Sequence, residues 1–305
     1  MCGIVGLLIK DPALEGSLGV LLMPMIEALA ERGPDSCGIA VYSSMDGEAA
    51  GAGVRPRLRL SLGSEVDVDW PSLGTAMAEE FGPSLSVRTF PSGAWVELPA
   101  EEASAVTHFM ADRCPDSRIL ARGRTMTVVK DTGRPEETCR RHGLLDWQGY
   151  MGIAHTRMAT ESAVTLLHSH PFSPADDLCV VHNGSFSNYA GVRRWLMRQG
   201  LKFDSDNDSE VAARLLAARL EAGDDLKEAT RCIMKELDGF FTLVITTGEG
   251  MSVVRDAFAC KPAVVAETPA YVAVASEYRA LAHLPGIDAA AVYEPYPEEV
   301  YTWTR

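Results

Sequence analysis

Apolar residues follow two rhythms along this chain. GIVGLLI at 3–9 is a nearly unbroken apolar run, short enough for one strand with both faces covered. EGSLGVLLMPMIEALAERG then places Leu21, Met25, Ile26 and Leu29 at helical spacing and stops at Gly33-Pro34, which predicts a helix. Pro24 inside it marks either the first turn or a kink. CGIAVYS at 37–43 returns to a strand. In LSVRTFPSGAWVELPA, two alternating segments flank Pro91, Ser92 and Gly93 and predict a hairpin. EEASAVTHFMADR reads as a helix, TMTVVKD as a strand, and PEETCRRHGLLDWQGY as another helix and its exit.

From about residue 150 the pattern becomes dense in strands. YMGIAHTRMAT and CVVHNGSF come first, followed by two helices, SEVAARLLAARLEAG and DLKEATRCIMKELDG, each closed by Gly. FTLVITT, MSVVRDA, AVVAET, YVAVASE and VYTWT then predict short strands separated by Gly, Pro or acidic turns. No internal repeat or low-complexity linker divides the chain. It reads as one domain over 1–305, elaborated at about 46–148.

Composition narrows the partners. A net charge of −14 argues against broad contact with nucleic acid or an anionic membrane. Arg193, Arg194 and Arg198 in GVRRWLMR fit the solvated face of a helix. The N-terminus lacks a basic leader, since Asp11 and Glu15 arrive early, and LGVLLMPMI spans about half a membrane. The expectation is a cytoplasmic protein. Seven Cys with no CxxC pair point to reduced thiols rather than disulfides or zinc. The chain has neither the Cys spacing of an iron–sulfur cluster nor a dinucleotide fingerprint, so no cofactor is expected in it. His168 and His170 in HSHP lack a third ligand of matching spacing, and no metal is expected.

Several short stretches admit both a structural and a chemical reading. Cys2 is a small apolar residue of a buried strand, or a nucleophile that becomes the N-terminus once Met1 is removed. In the second case thiol and α-amine supply nucleophile and base on one residue. Arg157 in HTRMAT sits where a strand gives way to a loop, as a surface ion pair or a bidentate carboxylate holder. Asn183-Gly184 in HNGS is turn chemistry, or a side-chain amide and a backbone N–H aimed at one oxyanion. Asp208 in SDNDSE lies at a helix start, as part of a cap or as a partner for a substrate ammonium.

Taken in order, MCGIVG, RGPDS, HTRMAT, HP, VVHNG, NDSE, VRDAFACKP and VASE resemble the signature of class-II glutamine amidotransferase domains. The resemblance spans both ends of the chain and most of residues 150–280. It implies an α+β fold, the four-layer αββα N-terminal-nucleophile hydrolase sandwich with two stacked antiparallel sheets. It also implies roles by position. Cys2 would attack the glutamine side-chain amide, with Asn183 and Gly184 stabilising the oxyanion. Arg157 and Thr160 would hold the substrate carboxylate, Asp208 its ammonium, and Arg32 would support the Cys2 loop. The chain departs from the common HTRWATHG wording at Met158 and Glu161.

Its length and wording look most like the separate amidotransferase subunit of glutamate-synthase-like complexes, above all N-methylglutamate synthase. That implies glutamine or γ-glutamylmethylamide as substrate. It also implies hetero-oligomeric synthase partners that carry FMN and an iron–sulfur cluster. A free-standing γ-glutamyl amide hydrolase and a non-catalytic regulatory subunit are the alternatives.

Overall fold

A computed structural model describes residues 2–44, 56–159 and 163–305. The chain begins with β1 (Gly3–Ile9), α1 (Leu18–Glu27) and β2 (Ser36–Tyr42). Next come β3 (Arg57–Ser64), α2 (Trp70–Phe81), β4 (Ser86–Phe90), β5 (Gly93–Pro99), α3 (Ala103–Arg113) and β6 (Ser117–Gly123). It continues through β7 (Met126–Thr132), α4 (Pro135–Arg141), β8 (Met151–Arg157) and β9 (Cys179–Phe186). Three helices follow: α5 (Tyr189–Arg198), α6 (Asp208–Glu221) and α7 (Leu226–Glu236). The last strands are β10 (Gly239–Thr247), β11 (Gly250–Arg255), β12 (Val264–Glu267), β13 (Tyr271–Ala275), β14 (Ala291–Tyr293) and β15 (Tyr301–Thr304).

Among the described residues these strands form three antiparallel sheets. The first has seven strands in the order β14-β12-β13-β1-β8-β2-β7, and the second has four, β15-β11-β10-β9. Side-chain alternation in the strands builds the layers. Val5, Leu7 and Ile9 of β1 face Leu18, Leu22, Met25 and Ile26 of α1 and Cys139 of α4. Ile4 and Leu8 face the other way, into a core shared with Val181 of β9, Val244 of β10 and Val253 of β11. The far face of the second sheet, with Val180, Leu243 and Val254, packs on Leu196 of α5, Leu215 of α6 and Ile233 of α7. This is the αββα sandwich. Because β1 is covered on both faces, its sequence reads as a continuous apolar run instead of an alternating one.

A third sheet, β4-β5-β3-β6, has its own core with Leu60, Leu62, Trp70, Met77, Val96 and Val106, roofed by α2 and α3. It docks on the edge of the first sheet through Leu120 and Ala121, which join the core around Met126 and Val128, and through polar bonds. Ser61 Oγ accepts from Val128 N at 2.9 Å, and Arg59 donates to Thr127 Oγ1 at 2.7 Å. Within the stretch at about 46–148, β3–β6 thus form a separate sheet, while β7 pairs with β2 and α4 covers the first sheet. Pro24 sits in the second turn of α1, where its ring removes the bond that an N–H would make to Val20.

Candidate active site

Register places the N-terminus. Gly3 of β1 pairs with Thr156 of β8, so the next position sets Cys2 beside Arg157. Ser36 of β2 flanks Arg157 on its other side. Gly3 has no room for a side chain: a Cβ there would stand 2.6 Å from Thr156 Oγ1 and 2.8 Å from Leu29 Cβ. Cys2 itself is half-buried.

Two side chains hold the Cys2 carbonyl. Arg32, from the turn after α1, donates Nε at 3.0 Å, and Asn183 of β9 donates Nδ2 at 3.3 Å. Arg32 is braced by Glu277, whose carboxylate it meets at 2.6 Å and which also pairs with Arg279 at 2.6 Å. Partial burial raises the Glu277 carboxyl, but the two guanidiniums more than offset this and hold it below its ordinary value. Ser276 completes the frame by accepting from Ile4 N at 3.0 Å.

Gly184 follows Asn183 at φ +148°, and a Cβ there would lie 2.0 Å from Phe240 O on β10. Only glycine fits this close approach and leaves the backbone at 184 exposed to the site. Arg157 is 6 % exposed and donates Nη1 to Ala163 O at 2.9 Å. Burial lowers its affinity for the proton, while Cys2 and Asp35 act in the opposite sense. Asp35 binds this corner twice, through its N–H to Arg157 O at 3.0 Å and by accepting from Ala159 N at 2.8 Å.

Asp208 opens α6 after the cap Asn207, whose side chain accepts from Ser209 N at 2.9 Å. Its carboxylate is turned to the second sheet and accepts Phe186 N at 2.8 Å. The structure therefore brings together Cys2, Arg32, Arg157, Asn183 and Gly184, with Asp208 tied to the same strand as Asn183. Thr160 and Glu161 lie outside the described residues. His168 is held between Thr165 Oγ1 at 2.7 Å and Asp206 Oδ1 at 2.6 Å. Among the described residues, no three or more His, Cys, Asp or Glu are grouped to hold a metal, and no helix is long and apolar enough to cross a membrane.

Sequence reading gave no role to Asp35, Ser276, Glu277, His155, His182 or Ser209. The available signal was a polar residue next to a motif position, inside or just after an apolar strand or at a helix start. All but Asp35 and Glu277 are at most 3 % exposed, where a polar side chain needs a partner.

A family model described as a glutamine amidotransferase domain matches residues 155–283. Over 304 residues the chain is 44% identical to the "glutamine amidotransferase-like protein GlxB" of Rhizobium meliloti, covering 99% of this chain and 98% of that protein. It is 34% identical over 128 residues to the glutamine–fructose-6-phosphate aminotransferase of Thermococcus kodakarensis, covering 42% of this chain and 21% of that one. Two solved structures share the fold. One is an allosteric regulatory enzyme of purine biosynthesis, with a TM-score of 0.63 at 18% identity over 99% of this chain and 47% of that one. The other is the glutamine phosphoribosylpyrophosphate amidotransferase of B. subtilis, with a TM-score of 0.60 at 17% identity over 99% of this chain and 49% of that one. The layers and the strand order define an amidotransferase sandwich of the N-terminal-nucleophile type. The end-to-end identity goes further: this chain belongs to the glutamine amidotransferase family.

Proposed function

We propose that this chain is a glutaminase subunit that releases ammonia from glutamine through a Cys2 thioester and passes it to a partner synthase. The observation that carries the reading is the Asn183 amide lying against Cys2, with Arg157 next to Cys2 in register. With Met1 removed, the α-amine of Cys2 takes the thiol proton and Sγ attacks the side-chain amide carbon of glutamine. The tetrahedral oxygen is stabilised by the Asn183 Nδ2 hydrogen not given to the Cys2 carbonyl and by the Gly184 N–H, both carried on β9. The protonated amine returns its proton to the departing nitrogen, the C–N bond breaks, and ammonia leaves a glutamyl thioester. Water, activated by the same amine, hydrolyses it to glutamate. Arg157 and Thr160 hold the α-carboxylate, and Asp208 holds the α-ammonium. Arg32 fixes the Cys2 backbone.

The acceptor is proposed to be a glutamate-synthase-type partner, with N-methylglutamate synthase the favoured case. FMN and the iron–sulfur cluster belong to that partner. An exposed apolar pair beside Gly184 supports a docking partner: Phe240 and Phe258 are 50 % and 74 % exposed, with ring centroids 5.2 Å apart. The test compares glutamine with γ-glutamylmethylamide, for parent and Cys2→Ala protein, alone and with co-expressed synthase subunits. The expected result is glutamate release that requires Cys2 and rises with the partner. Parental turnover by Cys2→Ala, or active protein whose intact mass retains Met1, overturns the nucleophile. A lone chain that is fully active and co-purifies with nothing overturns the complex.

A further inference from the structure

Three imidazoles fill the space beneath this site. His155 lies on β8 two residues before Arg157, and alternation turns both toward the second sheet. His182, directly before Asn183 on β9, faces the helices and stacks on Phe186 with centroids 4.4 Å apart. His170 packs between them, 4.1 Å from the His155 ring and 6.3 Å from that of His182. Their exposures are 1 % for His155, 3 % for His182 and 5 % for His170.

The bonds between them have a direction. His155 Nε2 lies 3.0 Å from the His182 carbonyl oxygen. A carbonyl only accepts, so Nε2 carries the proton, and Nδ1, which has no partner among the described residues, carries none. That carbonyl belongs to the peptide leading into Asn183. A second run starts from the His182 ring, where Nδ1 lies 2.7 Å from Ser209 Oγ and Ser209 Oγ lies 3.1 Å from Asp208 Oδ1. A hydroxyl has one proton, and the carboxylate is the stronger acceptor. Ser209 therefore donates to Asp208 and accepts from His182. With Phe186 N on its other oxygen, the Asp208 carboxylate is bound at both ends.

The core between the sheets is mostly apolar, and apolar contact sets the spacing of two sheets without setting their lateral offset. The buried bond between Tyr42 Oη and Thr246 Oγ1 at 2.8 Å ties the sheets at the end of β2 opposite Ser36. Yet Asn183 is on one sheet and Cys2 directly precedes β1 of the other. β9 is an edge strand aligned along its length by β10 and, on its free side, bridged to Phe172 at Val180, three residues before Asn183. We propose that His155 and His182 are positioning residues. His155 pins the oxyanion strand β9 to β8, and His182, through Ser209, aims Asp208 at the substrate ammonium. This rests on the roles proposed above for Asn183 and Asp208. Burial keeps both rings neutral, the state the bonds need, and pushes His155 down to about 3. Reaction geometry is sensitive to such offsets, since a displacement of about 1 Å costs on the order of a hundredfold in rate.

The two residues predict different kinetic signatures. His155→Leu should lower kcat about a hundredfold with glutamine KM nearly unchanged, whereas His155→Gln, which keeps a donor near Nε2, should recover most of it. His182→Leu should weaken glutamine binding about tenfold with a smaller effect on kcat, and His182→Asn should restore it through a donor near Nδ1. Affinity is measured by calorimetry in the Cys2→Ala background, which needs no turnover. Imidazole 15N NMR of the parent should show His155 protonated on Nε2 and His182 on Nδ1, whatever the variants do. The opposite tautomers or a charged ring at neutral pH, or Leu and Gln variants of His155 alike in kcat, overturn the proposal. Parental turnover by Cys2→Ala overturns the functional reading instead, and NMR with affinity then judges the tie by itself. Absence of glutamine binding by Cys2→Ala sinks both.

Discussion

The Asn183 side-chain amide, on the edge strand of one sheet, meets the backbone carbonyl of Cys2, the residue before inner strand β1 of the other, at 3.3 Å. The distance from Cys2 to the Asn183 amide, proposed above as nucleophile and oxyanion donor, is thus an inter-sheet distance. Any change that moves one sheet against the other is felt at this contact.

Gly184→Ala tests the backbone half of the proposed oxyanion site. The methyl group would enter 2.0 Å from Phe240 O at a φ of +148°. Strain of this kind costs about 1–3 kcal/mol, and loss of an oxyanion donor costs about 100- to 1,000-fold in kcat. Thermal melts and steady-state glutaminase assays should show both losses. A variant with parental kcat would remove Gly184 from the site.

Arg32→Lys separates charge from geometry. Lys keeps the attraction to Glu277 but cannot reproduce both the Nε bond to Cys2 O and the Nη1 bond to Glu277. A charged hydrogen bond contributes about 1.5–3 kcal/mol, so the expected fall in kcat/KM is roughly 10- to 100-fold. Rates of Cys2 alkylation in parent and variant check whether the thiol has been displaced.

Acid should unfold this protein through its histidines. Burial depresses His155 to about 3, and lowers His170 and His182, with Lys130, Arg157 and Lys261 reinforcing and Asp208 opposing. In the unfolded chain each titrates near pH 6.5. Stability is therefore fully present above about pH 6.5 and is lost as pH falls toward 3. By pH 5, His155 alone accounts for about 2 kcal/mol. Urea midpoints at pH 7, 6, 5 and 4 measure the slope, and His155→Gln should flatten it.

Arg59→Met probes the third sheet without touching the site. Arg59 binds Glu97 at 2.8 Å, Thr127 at 2.7 Å and Ser43 at 3.2 Å. Arg59 is buried but Glu97 is 29 % exposed, and losing charged hydrogen bonds of this kind costs about 1.5–3 kcal/mol, so a drop in unfolding free energy of that order is expected. Ser43 lies seven residues along β2 from the Ser36 end that flanks Arg157, roughly 23 Å away. Glutaminase activity of the folded variant should stay within about twofold, by parallel denaturation and activity measurements.

Elements with a strong period were legible from the chain alone. β1, β2, β8 and β9, the hairpin of β4 and β5, and helices α3, α6 and α7 fall where their patterns place them. β3, β6 and α2 were not picked out. RLRLSLGS buries nearly every position, and its Arg59 pairs with Glu97 on a strand more than 30 residues later. At the candidate site, Cys2, Arg157, Asn183 and Gly184 could be singled out because each stands in a motif at one end of an apolar run. Glu277 and Ser209 were not, because their roles consist of bonds to Arg32 and His182, far away in sequence.

What the sequence determined by itself is local: where strands and helices begin, which face is apolar, and which residue types could attack, accept or hold a charge. Those properties depend on periods of two and 3.6 residues and on side-chain chemistry. What only the tertiary structure decided is the pairing of β7 with β2 and the third sheet's own core. The register that sets Cys2 beside Arg157, and the offset that brings Asn183 to it from another sheet, were decided there too. Such relations arise from antiparallel pairing and layer packing between residues as far apart as 2 and 183, and no short-range pattern encodes their distance.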